Sequence, residues 1–158
     1  MENRASEKAF KWIVGILENH NLPFQITGGL AARAYGSRRP LNDIDIDISD
    51  DGFYQILPDV RGYVIFGPER FVDEHFDLLL MTLRYAGQEI DISGGDTIRI
   101  PDGEGYWHDA PTDFSKFGIK DIFGISVPVM VKEEVLKYKK LLDRPVDRED
   151  IQALEKDY

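Results

Sequence analysis

The 158-residue chain contains no cysteine. This absence excludes disulfide bonds, a thiol nucleophile and cysteine zinc sites. Histidine is also scarce, and the three histidines, His20, His75 and His108, do not have the spacing of metal ligands. We therefore expect each histidine to be a loop or surface residue.

Long apolar runs and an excess of basic charge are lacking as well. The first ten residues do not contain the apolar stretch of a signal peptide, and no segment approaches membrane-spanning length. We therefore expect a cytoplasmic protein without a membrane partner. The formal net charge is -10, so broad electrostatic attraction to nucleic acid is not expected to drive binding. A local basic patch is still compatible with binding of a phosphate.

The composition that is present is that of an ordinary globular domain. Hydrophobic residues make up 42% of the chain and charged residues 30%, as in proteins that bury a proper core. With no internal repeat, we predict a single domain over residues 1–158, with terminal helices from about residue 131. The spacing of apolar residues predicts an α+β fold with a mixed central sheet flanked by helices. The predicted helices cover about 5–20, 30–35, 53–57, 131–143 and 145–158, and the predicted strands 24–27, 43–48, 63–66, 76–85, 89–93 and 124–131.

Two stretches are predicted to lack regular structure. Residues 67–76 are polar and irregular, and residues 96–118 are rich in Asp, Gly, Pro and Thr, which predicts a long loop with a little strand at 97–100. Tyr106 and Trp107 in this loop are candidates for stacking on a base, although a structural role fits equally well. The β-rich runs on either side of the turn at 86–88 predict an antiparallel hairpin.

The stretch QITGGLAARAYGSRRPLNDIDIDIS, residues 25–49, has the most unusual pattern. Asp43, Asp45 and Asp47 alternate along a predicted strand, so their side chains should share one face while the intervening isoleucines share the other. Asp is disfavoured in strands, and like charges on one face repel each other. The simplest interpretation is a solvent-facing strand edge. The pattern favours instead a divalent metal that neutralises the row, and Mg²⁺ prefers such oxygen ligands.

Two further features point to a bound phosphate. Gly28 and Gly29 lie between a strand and a helix, where backbone amides can approach an anion closely. The turn that contains Ser37 and Arg39 follows, and an arginine can neutralise phosphate oxygens. Asp91 lies in the middle of the strand EIDI, from which a third carboxylate can reach the same metal. A phosphate cradle beside a carboxylate cluster is typical of a phosphoryl or nucleotidyl transfer site.

Each of these residues also has a simpler interpretation. A Gly-Gly pair is often just a turn, Asp91 is compatible with an exposed residue on an alternating strand, and Arg39 is compatible with a solvated loop. We expect Lys137, Lys139, Lys140 and Arg144 to form a solvated helix face, although one of them is a candidate to reach a phosphate.

The motif GG, a helix and then YGSRRPLNDIDIDI resembles the signature of the nucleotidyltransferase superfamily, which has the DNA polymerase β-like fold. Its small stand-alone members, similar to lincosamide and aminoglycoside nucleotidyltransferases and to nucleotidyltransferase-type toxins, are the nearest in pattern. The segment VPVMVKEEVLKYKKLLDRPVDREDIQAL resembles their terminal segment. The resemblance covers roughly residues 10–93 and 124–154 and leaves the 96–118 loop unmatched.

The resemblance implies a Mg²⁺-dependent enzyme, with Mn²⁺ as an alternative cofactor, that binds a nucleoside triphosphate such as ATP and a second substrate with a hydroxyl group. It implies that Asp43 and Asp45 bind the metal and that Asp91 is the third carboxylate, which often helps to deprotonate the acceptor. It further implies that Gly28 and Gly29 contact the triphosphate. Ser37 and Arg39 would lie near the phosphates.

Several alternatives stay open at this point. Asp45 and Asp47 have the same spacing as Asp43 and Asp45, although the distance from the glycine pair favours the latter as the metal pair. The chain is short, so a homodimer or partner subunit is a candidate source of part of the acceptor site. A catalytically silent binding module on the same fold, acting as an antitoxin or regulatory partner, is the second hypothesis, and a metal-dependent phosphohydrolase is the third. The acceptor is not readable from the sequence.

Overall fold

The computed structural model describes residues 4–156, and nine strands in this range form one mixed sheet. Five α-helices in the same range accompany it, so the predicted α+β class is confirmed. The helices are α1 (Arg4–Asn19), α2 (Gly28–Ala34), α3 (Gly52–Val60), α4 (Lys132–Leu142) and α5 (Pro145–Glu155). The strands are β1 (Phe24–Thr27), β2 (Ile44–Ile48), β3 (Val64–Val72), β4 (Asp77–Tyr85), β5 (Gln88–Gly94), β6 (Arg99–Pro101), β7 (Trp107–Asp109), β8 (Phe117–Ile122) and β9 (Ile125–Met130). The last two residues of the predicted C-terminal helix, 157–158, lie outside the described range.

The order of the strands in the sheet is β7-β6-β4-β5-β2-β1-β9-β8, and β3 also pairs with β4. Strand β2 lies near the middle, antiparallel to β1 and parallel to β5. Strands β4 and β5 form the predicted antiparallel hairpin. This arrangement puts the DIDI strand and the EIDI strand side by side.

Apolar spacing in the sequence accounts for the core around these strands. Ile44, Ile46 and Ile48 are completely buried, as the alternation in β2 predicts. On α1, the residues at helical spacing, Phe10, Ile13, Val14 and Leu17, are buried against the sheet. Each fully buried side chain of this kind stabilises the fold by about 1.5–3 kcal/mol. The core therefore fixes the opposite face of β2, with its aspartates, toward a cleft.

Two predictions about irregular segments were partly wrong. Residues 67–72 continue β3, which pairs with β4 but carries register shifts between Val64, Phe66 and Glu69. These shifts break the alternation that would identify a strand from sequence. The predicted 96–118 loop contains β6, which overlaps the short strand predicted at 97–100, but it also contains β7, which pairs with β6 as a hairpin, and it ends within β8. Strands of three residues are too short to show a periodic pattern, and tertiary pairing decides their structure.

Within residues 4–156, no helix combines the length and the apolar character that crossing a lipid bilayer requires. The cytoplasmic location stays a prediction.

Candidate active site

Three carboxylates converge where β2 and β5 lie side by side. Asp45 is directly opposite Asp91 in the parallel register, and Asp43 immediately precedes β2. Burial and then the negative charges of Asp91, Asp43 and Asp47 raise the pKa of Asp45 to about 7, against an opposing effect of Lys139. The effect of these charges on Asp45 reflects how close the predicted acidic residues lie to one another. Asp43 lies just before β2, whereas the sequence predicted a strand that includes it.

The other two carboxylates of this group are also perturbed. Burial, followed by the charge of Asp91, raises the pKa of Asp43. Burial raises the pKa of Asp91, although a hydrogen bond that the Thr82 hydroxyl donates to Asp91 Oδ1 over 2.7 Å acts in the opposite direction. Thr82 was missed from the sequence, but the register of the β4–β5 hairpin places it directly across from Asp91. It is therefore the residue that orients this carboxylate.

Asp47 shares the cleft face with Asp45 but is engaged differently. Its carboxylate is buried and accepts hydrogen bonds from the Thr27 hydroxyl over 3.4 Å and from the Thr112 hydroxyl over 2.7 Å. Burial raises its pKa to about 6, and the two threonine hydrogen bonds lower it in part. Thr112 also donates its backbone amide to the carbonyl of Gly95. The hydrogen bonds to Gly95 and to Asp47 together hold the 110–112 segment against the sheet.

The glycine pair lies directly against the carboxylates. Gly28 has a φ of +61°, and a Cβ at this position would overlap the Asp45 carboxylate. Its backbone amide donates a 2.9 Å hydrogen bond to the hydroxyl of Tyr138 on α4. A Cβ on Gly29 would lie 3.0 Å from Nη2 of Arg39. The position of Gly28 therefore requires glycine, whereas a side chain at Gly29 would need only a small shift of the Arg39 guanidinium.

Ser37 and Arg39 are held by α5. The Ser37 hydroxyl donates to Asp150 Oδ1 over 2.7 Å, and Arg39 donates from Nε to Oδ1 over 3.1 Å and from Nη2 to Oδ2 over 2.8 Å. Arg39 lines the cleft, whereas Ser37 is buried and is absent from its lining. The structure thus gives both residues a positioning contact that the sequence did not reveal. Their binding to a nucleotide stays a prediction.

The expected solvated face of α4 was partly wrong. Lys139 is 1% exposed and its Nζ lies 3.1 Å from Asp150 and 3.3 Å from Asp147. Arg144 is the N-cap of α5 and is paired with Asp147 in the first turn of the same helix over 2.7 Å. Lys137 remains exposed, lines the cleft and has no carboxylate partner among residues 4–156.

These elements enclose a cleft of about 1150 Å³. This exceeds the roughly 300–1,000 Å³ typical of a site for one small ligand. The glycine turn, the carboxylates and α4 line one part of it, and apolar side chains from β3, β4 and β6 line another. Tyr106 and Trp107 are not among the lining residues.

The donor set suits a divalent cation. In the described part of the chain, no three acidic or histidine side chains already have the spacing of a formed metal site. However, Asp43, Asp45 and Asp91 offer only hard oxygen ligands, and a cation between them would relieve the repulsion that raises the pKa of Asp45. The residues therefore fit Mg²⁺ or Mn²⁺.

The chain has the nucleotidyltransferase fold, and the predicted resemblance is confirmed at this level. A candidate nucleotidyltransferase from Thermotoga maritima is similar over 96% of this chain and 93% of its own, with 24% identity and a TM-score of 0.76. The lincosamide antibiotic adenylyltransferase LnuA is similar over 97% of this chain and 98% of its own, with 18% identity and a TM-score of 0.63. The antibiotic-resistance factor ANT(2'')-Ia is similar over 98% of this chain and 83% of its own, with 17% identity and a TM-score of 0.64. No family model and no curated protein sequence matches the chain.

Proposed function

We propose that the protein is a divalent-metal-dependent nucleotidyltransferase that moves a nucleoside monophosphate from an NTP, with ATP as the first candidate, to a hydroxyl group. The observation that carries the proposal is the convergence of Asp43, Asp45 and Asp91 from adjacent strands beside the Gly28 turn. The fold supports it, since one neighbour is a lincosamide adenylyltransferase and another is described in complex with adenylyl-2''-tobramycin.

Asp43, Asp45 and Asp91 are the residues that would hold Mg²⁺, with Mn²⁺ as the alternative. The bound cation would neutralise the triphosphate and align it with the acceptor. We assign the metal pair to Asp43 and Asp45 rather than to Asp45 and Asp47, because the two oxygens of Asp47 are already used by threonine hydroxyls.

Asp91 is the proposed general base. It takes the proton of the acceptor hydroxyl as the acceptor oxygen bonds to the α-phosphorus of the NTP. The bond from this phosphorus to the bridging oxygen of the β-phosphate breaks, and pyrophosphate leaves. The Thr82 hydroxyl holds the orientation of the Asp91 carboxylate by a 2.7 Å hydrogen bond. Lys137 is free to neutralise phosphate oxygens.

The proposal is tested with α-labelled ATP, Mg²⁺ and a metabolite extract as the source of acceptor. Wild-type protein should transfer the label to a product and release pyrophosphate. Asp43→Asn and Asp45→Asn should each reduce transfer at least about 100-fold, because each removes a direct metal ligand. The exposed Asp51→Asn is the matched control and should retain full transfer.

Undiminished transfer in both cleft variants would overturn the assignment of the metal pair. Release of inorganic phosphate instead of pyrophosphate would point to a phosphohydrolase.

A catalytically silent binding module is the second candidate function. It is favoured by the engagement of the Gly28 amide with Tyr138 and of Arg39 with Asp150, which leaves both groups occupied within the chain. Absence of ATP binding in calorimetry, together with a partner chain that co-purifies with the protein, would favour this function.

A further inference from the structure

The cleft has an apolar wall that the transfer chemistry does not explain. Phe71, Leu78, Leu80, Ile98 and Ile100 line it. Leu78, Ile98 and Ile100 are the buried centre of a second hydrophobic cluster, against which Phe71 and Leu80 pack while still half-buried. Apolar side chains that remain accessible in a cleft are typical of a ligand site.

The position of this wall follows from the pairing of the strands. Asp91 and Ser93 alternate on β5, and they lie opposite Thr82 and Leu80 on β4. Leu78, two residues before Leu80 on the same face, is opposite Phe71 on β3. These residues form a row across one face of the sheet. It begins with the carboxylate of Asp91, continues with the hydroxyls of Thr82 and Ser93, and ends in the apolar side chains of Leu80, Leu78 and Phe71. The wall therefore begins at Leu80, in the next cross-strand pair on the same face after the pair that contains Asp91.

The charges around the wall argue against a highly charged ligand. His108 and Asp109 from β7 line the cleft, but His108 lies 2.7 Å from Asp102 and Asp109 lies 3.6 Å from Arg99. Both partners belong to the same β6–β7 hairpin region. A ligand with several amines would need carboxylates on this wall, and a nucleic acid would need unpaired cations there. The five wall residues themselves carry no charge, and cations that line the cleft, such as Lys137, Lys140 and Arg144, belong to α4 and the segment that joins it to α5.

We propose that this apolar wall is the acceptor subsite and that it takes a small, uncharged molecule with an aromatic or alicyclic ring system and a hydroxyl group. The ring would lie on Phe71 and Leu80, which leaves the hydroxyl near Asp91. The subsite deepens the proposed transfer reaction and rests on it for the identity of the second substrate. The size of the cleft accommodates this molecule beside a nucleotide.

The test uses the fluorescent alcohol 2-naphthaleneethanol as the probe. Its binding to the full-length protein is measured by fluorescence titration without nucleotide. Wild-type protein should bind the probe saturably, and Phe71→Ser and Leu80→Asn should each weaken binding about tenfold. The matched control is Val72→Ser, which alters the neighbouring, 60% exposed residue of β3 and should leave binding unchanged. Thermal unfolding of each variant establishes that it is folded.

A second titration, with α,β-methylene-ATP and Mg²⁺, separates the subsite from the nucleotide site. Phe71→Ser and Leu80→Asn should bind this analogue as tightly as wild type does. A parallel loss of analogue affinity would overturn the proposal, since the wall would then hold the nucleobase. Absence of saturable probe binding, equal probe binding in all variants, or tighter binding of the polyamine tobramycin would also overturn it. Failure of the analogue to bind wild-type protein counts against the transferase proposal and leaves the probe result standing.

Discussion

At the scale of single residues, Gly28 meets two separate requirements. Its φ of +61° is a backbone conformation that residues with a side chain rarely adopt, and its α-carbon faces the Asp45 carboxylate so closely that no Cβ fits. The same residue donates its amide to Tyr138. Gly28 therefore sets the position of a proposed metal ligand as well as the path of the chain.

Gly28→Ala should impair both stability and transfer. The left-handed backbone alone costs an alanine about 1–2 kcal/mol, and the added Cβ must displace the Asp45 carboxylate. Gly124→Ala is the matched control, because Gly124 has a φ of +82° with nothing within 4 Å of its Cβ position. Thermal unfolding should show that both variants are destabilised by backbone strain. Gly28→Ala should be destabilised further, because only its Cβ overlaps another side chain. Pyrophosphate release should fall only in Gly28→Ala, and an equal fall in both would contradict the account.

At the scale of elements, helix α5 holds the turn after α2 through the buried carboxylate of Asp150, which also contacts Lys139 of α4. Asp150 accepts hydrogen bonds from Ser37 and Arg39 and lies 3.1 Å from Lys139. Burial raises the pKa of Asp150, but the hydrogen bonds from Arg39 and Ser37 and the charge of Lys139 outweigh burial and lower it overall. Removing one member of a buried ion pair leaves its partners uncompensated, which makes such changes costly.

Asp150→Asn should destabilise the protein by roughly 3–5 kcal/mol at pH 7. Because the folded pKa of Asp150 lies below its unfolded value of 3.8, its contribution is full above about pH 4 and is lost as pH falls through the folded pKa. The gap between wild type and variant in urea unfolding should therefore narrow from pH 7 to pH 3. Asp143→Asn, which removes an exposed ion pair with Arg148, should change the stability far less than Asp150→Asn does, because solvent screens an exposed pair. A gap that is unchanged at pH 3 would contradict the role of the ionised carboxylate.

At the scale of the whole molecule, the sheet combines an acidic site with an apolar wall in one cleft. The net charge of -10 is compatible with the proposed triphosphate site, because a bound divalent cation and Lys137 would supply local positive charge. The carboxylates come from strands near the middle of the sheet, where both neighbours fix their register. The apolar wall comes from β3, β4 and β6, toward one end of the strand order.

Local patterns in the sequence were sufficient to predict the part of this arrangement that depends on near neighbours. The alternation of Asp and Ile in β2 and the β4–β5 hairpin both follow from short stretches of sequence, as does the helical spacing in α1. The contacts of Asp150 with Ser37 and Arg39 join residues more than 110 positions apart, so no local pattern reports them. Strand β7 is equally hidden and β6 was predicted only in part, because these three-residue strands form through their pairing with each other and, for β6, with β4.

We propose that Asp43, Asp45 and Asp91 form a metal-dependent nucleotide site, and calorimetric titration of α,β-methylene-ATP tests this proposal without knowledge of the acceptor. Wild-type protein should bind the analogue saturably in Mg²⁺. Binding should be at least about tenfold weaker when EDTA replaces the metal or when Asp45 is changed to Asn, since either change leaves the triphosphate charge uncompensated. Asp51→Asn should bind as wild type does. Equal affinity in Mg²⁺, in EDTA and in Asp45→Asn, or no binding in any of them, would contradict the claim.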